Sequence, residues 1–219
     1  MTDTVSLPVE AFSPSEMYFL LRDSVMPRPI AWVSTMSAAG VSNIAPFSFF
    51  NVCCPSPPVL GFSCGPRGDD HDAHQAALKD TLANIQATGE FVVNLSPEAL
   101  FEAMVDSAQD LAPGVSEFDA LGIASLPSDL VRPPRVAKSP VSFECRLRQI
   151  IPLGTNQWVM GDVARVHILT SIYQGEREGK KHRIDVLSDA ALRPIGRLGR
   201  AFYSRLSDIM TRKRRDGPN

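Results

Sequence analysis

Short β-branched and apolar runs divided by proline- and glycine-bearing turns predict a mainly β (α+β) protein, an antiparallel barrel or sandwich with added short helices. Two longer segments, 141–151 and 157–169, support the antiparallel reading. They set Cys145, Leu147 and Val163 against Glu144, Arg146, Arg148 and Asp162, as strands with one wet face do. The helical patterns are few and short, and no internal repeat is evident. At 219 residues and 44% hydrophobic composition, the chain suffices for one domain with a substantial core, spanning 1–219 with a short N-terminal extension and a basic tail from about residue 210.

The elements follow in order. "IAWVSTM" at 30–36 is a strand, "SAAG" a turn, and "VSNIAPFSFF" a return strand, which together make a hairpin. Within the return strand Ala45, Phe47 and Phe49 alternate with Pro46, Ser48 and Phe50, so neither face is purely wet. A wall mixing apolar bulk with a few polar groups suits a ligand pocket, and a strand buried on both faces gives the same pattern. "PPVLGFSC" at 57–64 is a strand opened by proline. A helical pattern from Asp72 carries Ala76, Ala77, Leu78, Leu82 and Ile85 on one face and stops at Gly89. "EFVVNL" at 90–95 is a strand, and 97–105 is a short helix with proline in its first turn. Residues 106–140, punctuated by Pro113, Gly114, Pro127, Pro133, Pro134 and Pro140, are loop-rich.

A formal charge of −2, from 22 basic and 24 acidic residues, supplies no field for polyanions, so nucleic acid is not a predicted partner. No apolar run approaches the roughly 18 residues of a membrane span, and the first twenty residues lack a basic start and an apolar core. A soluble, cytoplasmic protein with no membrane association is expected. Cys53, Cys54, Cys64 and Cys145 show no metal-ligand spacing and lie in strand-like surroundings, as buried reduced thiols do.

Five motifs invite chemistry. "GFSCG" at 61–65 satisfies the GxSxG pattern of a serine hydrolase with Ser63 as nucleophile, but that elbow needs a strand leading straight into a helix. Pro66 and Gly68 intervene, and the later histidines, His167 and His182, fall in strand or loop surroundings. "GDDHDAH" at 68–74 holds metal-competent side chains without diagnostic spacing, and no metal site is assigned. "GEREGKK" at 175–181 is one residue short of a phosphate loop, and no GxGxxG occurs. The tail "TRKRRDGPN" reads as a solvated basic end. In "KDTLANI" at 79–85, Asp80 or Thr81 caps a helix beside Lys79, which would offer a phosphate monoester amides, a hydroxyl and an ammonium; ordinary capping explains the same residues.

The order of segments is more specific than any one of them. "RPIAWVSTMSAAGVSNIAPFSFFN", "PPVLGFS", "KDTLANIQATGEFVVNL", "PPRVAKSPVSFECRL", "VMGDVARVHI" and "PIGRLGRAFY" together resemble the flavin reductase-like family of FMN-binding split barrels, from about Tyr18 to about Tyr203. The resemblance implies a homodimeric antiparallel split β-barrel that binds FMN and takes hydride from NADH or NADPH. Electrons would pass to free flavin, a partner oxygenase or another acceptor; a non-enzymatic, flavoredoxin-like electron carrier is the alternative. It also implies site residues: Asn43, Ile44, Ala45 and Pro46 beside the isoalloxazine ring, Phe47 packing on it, and Ser48 reaching the ribityl chain or phosphate. Ser34 and Thr35 would line the same cofactor, and Lys79, Asp80 and Thr81 would hold its phosphate. Arg28 would add a planar donor fork to phosphate or partner subunit, with an ion pair equally open. Gly196 and Arg197 would lie near the flavin, unless "GRLG" is a plain turn. No catalytic side chain is implied, because a flavin carries the chemistry itself. The acidic, histidine-bearing stretch 68–74 and the Cys53-Cys54 pair depart from the family's usual pattern.

Overall fold

The computed structural model describes residues 3–67, 78–109, 111–112, 114–177 and 179–211. The "GDDHDAH" stretch, most of the expected helical pattern before Lys79 and the basic tail beyond Thr211 lie outside them. In chain order the helices are α1 (Pro14–Ser24), α2 (Asp80–Thr88), α3 (Phe101–Asp106) and α4 (Glu117–Ala120). The strands are β1 (Arg28–Pro29), β2 (Ala31–Met36), β3 (Ser42–Phe47), β4 (Phe50–Pro55), β5 (Pro58–Cys64), β6 (Glu90–Leu95), β7 (Ser125–Leu126), β8 (Arg135–Val136), β9 (Val141–Leu153), β10 (Asn156–Ile168), β11 (Tyr173–Arg177), β12 (Lys180–Ile184), β13 (Gly196–Arg197) and β14 (Tyr203–Ser204).

Seven strands form one antiparallel sheet in the order β3-β2-β6-β9-β10-β5-β4. Its two edges are consecutive in the chain, joined across Ser48 and Phe49, so the sheet curls back on itself and is split between β3 and β4. The Ser63 amide bonds the Phe49 carbonyl at 2.8 Å, and the Phe47 and Phe62 rings stand 4.8 Å apart across the interior. This is the antiparallel split barrel that the resemblance implies. The expected return strand breaks at Ser48–Phe49, because the chain turns there from one edge of the split to the other.

Alternation along β2 decides what lies on each side. Ala31 and Val33 face the interior with Phe62, Phe91, Cys145 and Val159, while Trp32 faces outward into a second core with Ile44, Met104 and Phe118. Both faces are buried, which is why the β2–β3 hairpin reads as apolar throughout. Leu82 and Ile85 of α2 join the first core, and α3 and α4 cover the second. Asn94 ties the layers: its amide donates to the Trp32 carbonyl at 3.0 Å, and its oxygen accepts from the Val136 amide and the Ser142 hydroxyl.

β9 and β10 pair along almost their whole length with register shifts between Met160 and Gly161 and between Val163 and Arg165; at Gly161 an added Cβ would strike the Phe91 ring. Their alternation is less simple than the sequence suggests. Glu144, expected on the wet face, is fully buried; it accepts from the amides of Asp129 at 2.7 Å and Leu130 at 2.6 Å and pairs with His167. Burial pushes its carboxyl up, but those bonds outweigh burial and hold it below its ordinary value. Cys53 and Cys54 also differ from expectation: β4 is an edge, so Cys53 is exposed and Cys54 half-buried, whereas Cys64 and Cys145 are buried. All four are free thiols.

Candidate functional site

α2 begins at Asp80 with Lys79 at its cap, so neither Asp80 nor Thr81 takes the capping position. Of the expected helical pattern, Leu78 and Lys79 are not helical and α2 carries the part from Asp80, the part before Leu78 lying outside the described residues. A cap residue usually supplies an oxygen to the first free amides. Lysine has none to give, and no side chain caps α2. The helix therefore presents first-turn amides and a neighbouring ammonium together, which suits an anion. Asp80 is paired to Arg67 at 2.7 Å. Thr81 is buried and its hydroxyl donates to Asn43 Oδ1 at 3.0 Å.

A groove runs from this helix end along β3 and the Ser48–Phe49 corner. One cavity of about 210 Å³ is lined by Tyr18, Pro46, Phe47, Ser48, Phe49 and Lys79, among others. A second of about 190 Å³ shares Tyr18, Pro46, Ser48 and Phe49 with it and continues to Arg28, Arg197 and Tyr203. Joined, they reach the lower part of the range of roughly 300–1,000 Å³ in which ligand pockets fall. A small recess of about 30 Å³, lined by Asn43, Ala45, Arg67, Lys79, Asp80 and Thr81, adjoins the Lys79 end. A larger cavity, about 570 Å³ between Phe101 and Phe202, lies outside this groove and meets it at Tyr203; its Arg205 is spent on Glu98.

Most of the expected site residues therefore converge. Asn43, Ala45, Pro46, Phe47, Ser48, Lys79, Asp80, Thr81, Arg28 and Arg197 line one groove or its recess. Four do not. Ser34 and Thr35 are buried, the first bonding the Pro134 carbonyl and the second Asn43, the Ile44 side chain fills the second core, and Gly196 pairs with Pro29. Gly196 is thus a strand residue rather than a turn, and a Cβ there would meet Ser204 Oγ at 2.6 Å and Pro27 at 3.1 Å.

The polar residues are also more committed than the resemblance implies. Asn43 donates to both oxygens of Glu117 at 2.9 Å, and its own oxygen accepts from Thr35 at 3.1 Å and from Thr81. That commits the amide nitrogen to the carboxylate and both lone pairs of the amide oxygen inside the protein. Thr35 accepts in turn from Asn84 at 3.0 Å, so it braces Asn43 against α2. The Arg28 fork is filled by carbonyls of Arg22, Val25 and Leu198, with Nε 3.4 Å from Ser48 Oγ. Arg28 thereby locks the end of α1 to the corner, and its charge, more than its donors, faces the groove.

Sequence reasoning missed Tyr18, Glu117 and Asn156. The box "SPSE" at 13–16 marks α1 and hence Tyr18: Ser13 caps the helix and Glu16 returns the bond. Glu117 is 5% exposed and accepts from Asn43 and from the Ile44 amide at 3.0 Å. Burial pushes its carboxyl up despite those bonds. Asn156 donates to Ser63 Oγ at 2.9 Å at the groove edge. Ser63 is a strand residue paired with Trp158, and Cys64 continues that strand into non-helical Gly65–Arg67. His167 is held by Glu144 and His182 by Tyr173, so the GxSxG match, a distant alternative, has neither its turn nor its base in these two histidines.

Comparison with known proteins agrees with the fold. The chain is 38% identical over 187 residues to a protein of Aquifex aeolicus, covering 85% of this chain and 88% of that one. Its fold is similar to nitrilotriacetate monooxygenase component B from Bacillus cereus, with TM-score 0.83, 28% identity and coverage of 96% and 100% of the two chains. It is similar too to the 2-nitrobenzoate 2-nitroreductase NbaA of Pseudomonas fluorescens, with TM-score 0.80, 28% identity and 98% of each chain covered. The family model described as "Flavin reductase like domain" matches residues 22–178, from the end of α1 into the β11–β12 hairpin, and the chain belongs to that flavin reductase-like family.

Proposed function

We propose that the chain is an FMN-binding oxidoreductase that accepts hydride from NADH or NADPH and passes electrons to a second acceptor. The observation that carries this reading is the lysine cap of α2 opening onto a groove whose largely polar lining includes the rings of Tyr18 and Phe49: an anion end and an aromatic wall in one groove. Bound FMN would supply the redox chemistry, taking hydride at its ring. The protein's part is to bind and orient. Lys79 and the first-turn amides would hold the phosphate, and Ser48, which keeps its hydroxyl proton for a ligand, would meet the ribityl chain or phosphate. Pro46 and Phe49 would fix the ring plane and exclude water, with Phe47 backing them from the barrel interior. Asn43 would act through its neighbours, since its amide is spent on Glu117 and Thr81.

A relative of known type favours an oxygenase as acceptor, because the Bacillus cereus protein is a monooxygenase component; the nitroreductase favours reduction of a small aromatic instead. The active assembly is a homodimer in this reading. A cavity of about 400 Å³ on the open face of β4, β5 and β10 is lined by Val52, Pro55, Pro58, Val163 and Val166, with Val52 63% exposed. Apolar surface of that kind marks an interface. Among the described residues no helix is long and apolar enough to cross a membrane, and a cytoplasmic location accords with reduced thiols. Titrating the apoprotein with FMN and with riboflavin tests the site: FMN should bind more tightly, and equal affinity would remove the phosphate assignment.

A further inference from the structure

The groove has a second cationic end that a flavin phosphate held at Lys79 does not use. Arg22, Arg28 and Arg197 all line the 190 Å³ cavity, and none of them lines the cavity at Lys79. Among the described residues the carboxylate in contact is Asp23, which receives Arg22 Nε at 2.9 Å. Burial, and then the like charges of Arg197 and Arg22, hold the Arg28 guanidinium below its ordinary value. Three guanidinium groups around one small cavity repel one another, and an anion between them relieves that cost.

The donors are arranged for a ligand. Arg28 is fixed by its carbonyl partners and contributes a placed charge. Arg22 spends donors on Asp23 and Tyr18, and Arg197 on the Arg200 carbonyl and Tyr203, which leaves each with part of its five N–H groups. The walls are rings: Tyr18, Phe49 and Tyr203, with Arg197 Cζ 4.4 Å from the Tyr203 centroid and Arg28 Cζ 5.6 Å from that of Phe49. Aromatic walls with an arginine fork suit a planar ring that carries an oxyanion.

We infer that the Arg22–Arg28–Arg197 cavity is a second oxyanion subsite, which takes the phosphate or carboxylate of the molecule exchanging electrons with the flavin. Its assignment to an electron-exchange partner rests on the flavin reading above; the anion site itself does not. The shared chemistry is an oxyanion on or beside a planar ring, from either a nicotinamide nucleotide or an aromatic acid.

The test follows the melting temperature of the full-length protein, saturated with FMN, against rising pyrophosphate and, separately, benzoate. At least one anion should stabilise it saturably. Replacing Arg22→Gln or Arg197→Gln should raise the half-saturating concentration about tenfold or more, the loss of one charge-assisted contact. Arg197→Lys, which keeps the charge, should recover part of it. Lys79→Gln should leave that concentration unchanged while weakening FMN. Preference for pyrophosphate identifies a nucleotide phosphate and preference for benzoate an aromatic acid; either supports the subsite. No saturable stabilisation, unchanged half-saturation in both arginine variants, or loss of the effect in Lys79→Gln would overturn it. A protein that takes no FMN yet shows arginine-dependent stabilisation keeps the subsite and loses the flavin reading.

Discussion

Replacing Asn43→Ala should damage the fold more than a single lost surface bond would. The substitution strips the amide donor shared by both oxygens of a buried carboxylate, since Asn43 is 8% exposed and Glu117 5%, and it orphans the Thr35 and Thr81 hydroxyl donors. Hydrogen bonds to charged groups are worth about 1.5–3 kcal/mol, and a buried charge left short of donors costs more than a neutral group. We expect a loss of about 3 kcal/mol in urea unfolding at neutral pH. Adding Glu117→Gln should return part of it, because a neutral amide no longer needs that donor, with a coupling of about 0.5–3 kcal/mol between the sites. The pH dependence has a definite sign. Burial raises the folded-state value of Glu117 above the ordinary 4.5, so its contribution is fully present below about that value and is lost as pH rises through the raised one. Wild type should therefore lose stability relative to Glu117→Gln across that rise. An Asn43→Ala cost within about 0.5 kcal/mol of zero, as for an exposed substitution, would refute the network.

Other outcomes follow from single contacts. Lys79→Gln should weaken FMN binding roughly tenfold while leaving riboflavin affinity unchanged, measured by flavin fluorescence quenching. Light scattering should give about twice the 23.9 kDa chain mass, and Val52→Asp on the open sheet face should shift it toward one chain; a monomer that binds FMN fully would refute a shared site. Gly161→Ala should cost about 1–3 kcal/mol by overpacking, because the new Cβ meets the Phe91 ring and stands 3.0 Å from Cys145 Cβ. An unchanged melting temperature would show that β10 can yield there.

The strands were legible because their patterns are local. The β2–β3 hairpin, β5, β6, β9 and β10 all fall close to where turns and alternation predict them. Glu144 and Glu117 were not legible as buried groups, since the bonds that hold them come from residues far away in sequence, Asp129 and Leu130 for one and Asn43 and Ile44 for the other. Arg28 was visible as a fork but not as one filled by α1 carbonyls, because α1 itself went unread despite its capping box. The site was readable as a set, through Ala45 to Ser48 and Lys79 to Thr81, while the roles of Asn43 and Thr81 required knowing that they bond each other. The short α4 and the β7–β8 pair inside the proline-rich 106–140 segment have too few residues to show a period.

The most direct measurement is an anaerobic one. Purified protein loaded with one equivalent of FMN is mixed with NADH and, separately, with NADPH while the flavin absorbance near 450 nm is followed. Bleaching by at least one of the two, faster than for free FMN under the same conditions and slowed in Lys79→Gln at limiting flavin, is the predicted result. Tight FMN binding with no acceleration by either nucleotide would contradict the enzymatic claim and leave an electron carrier.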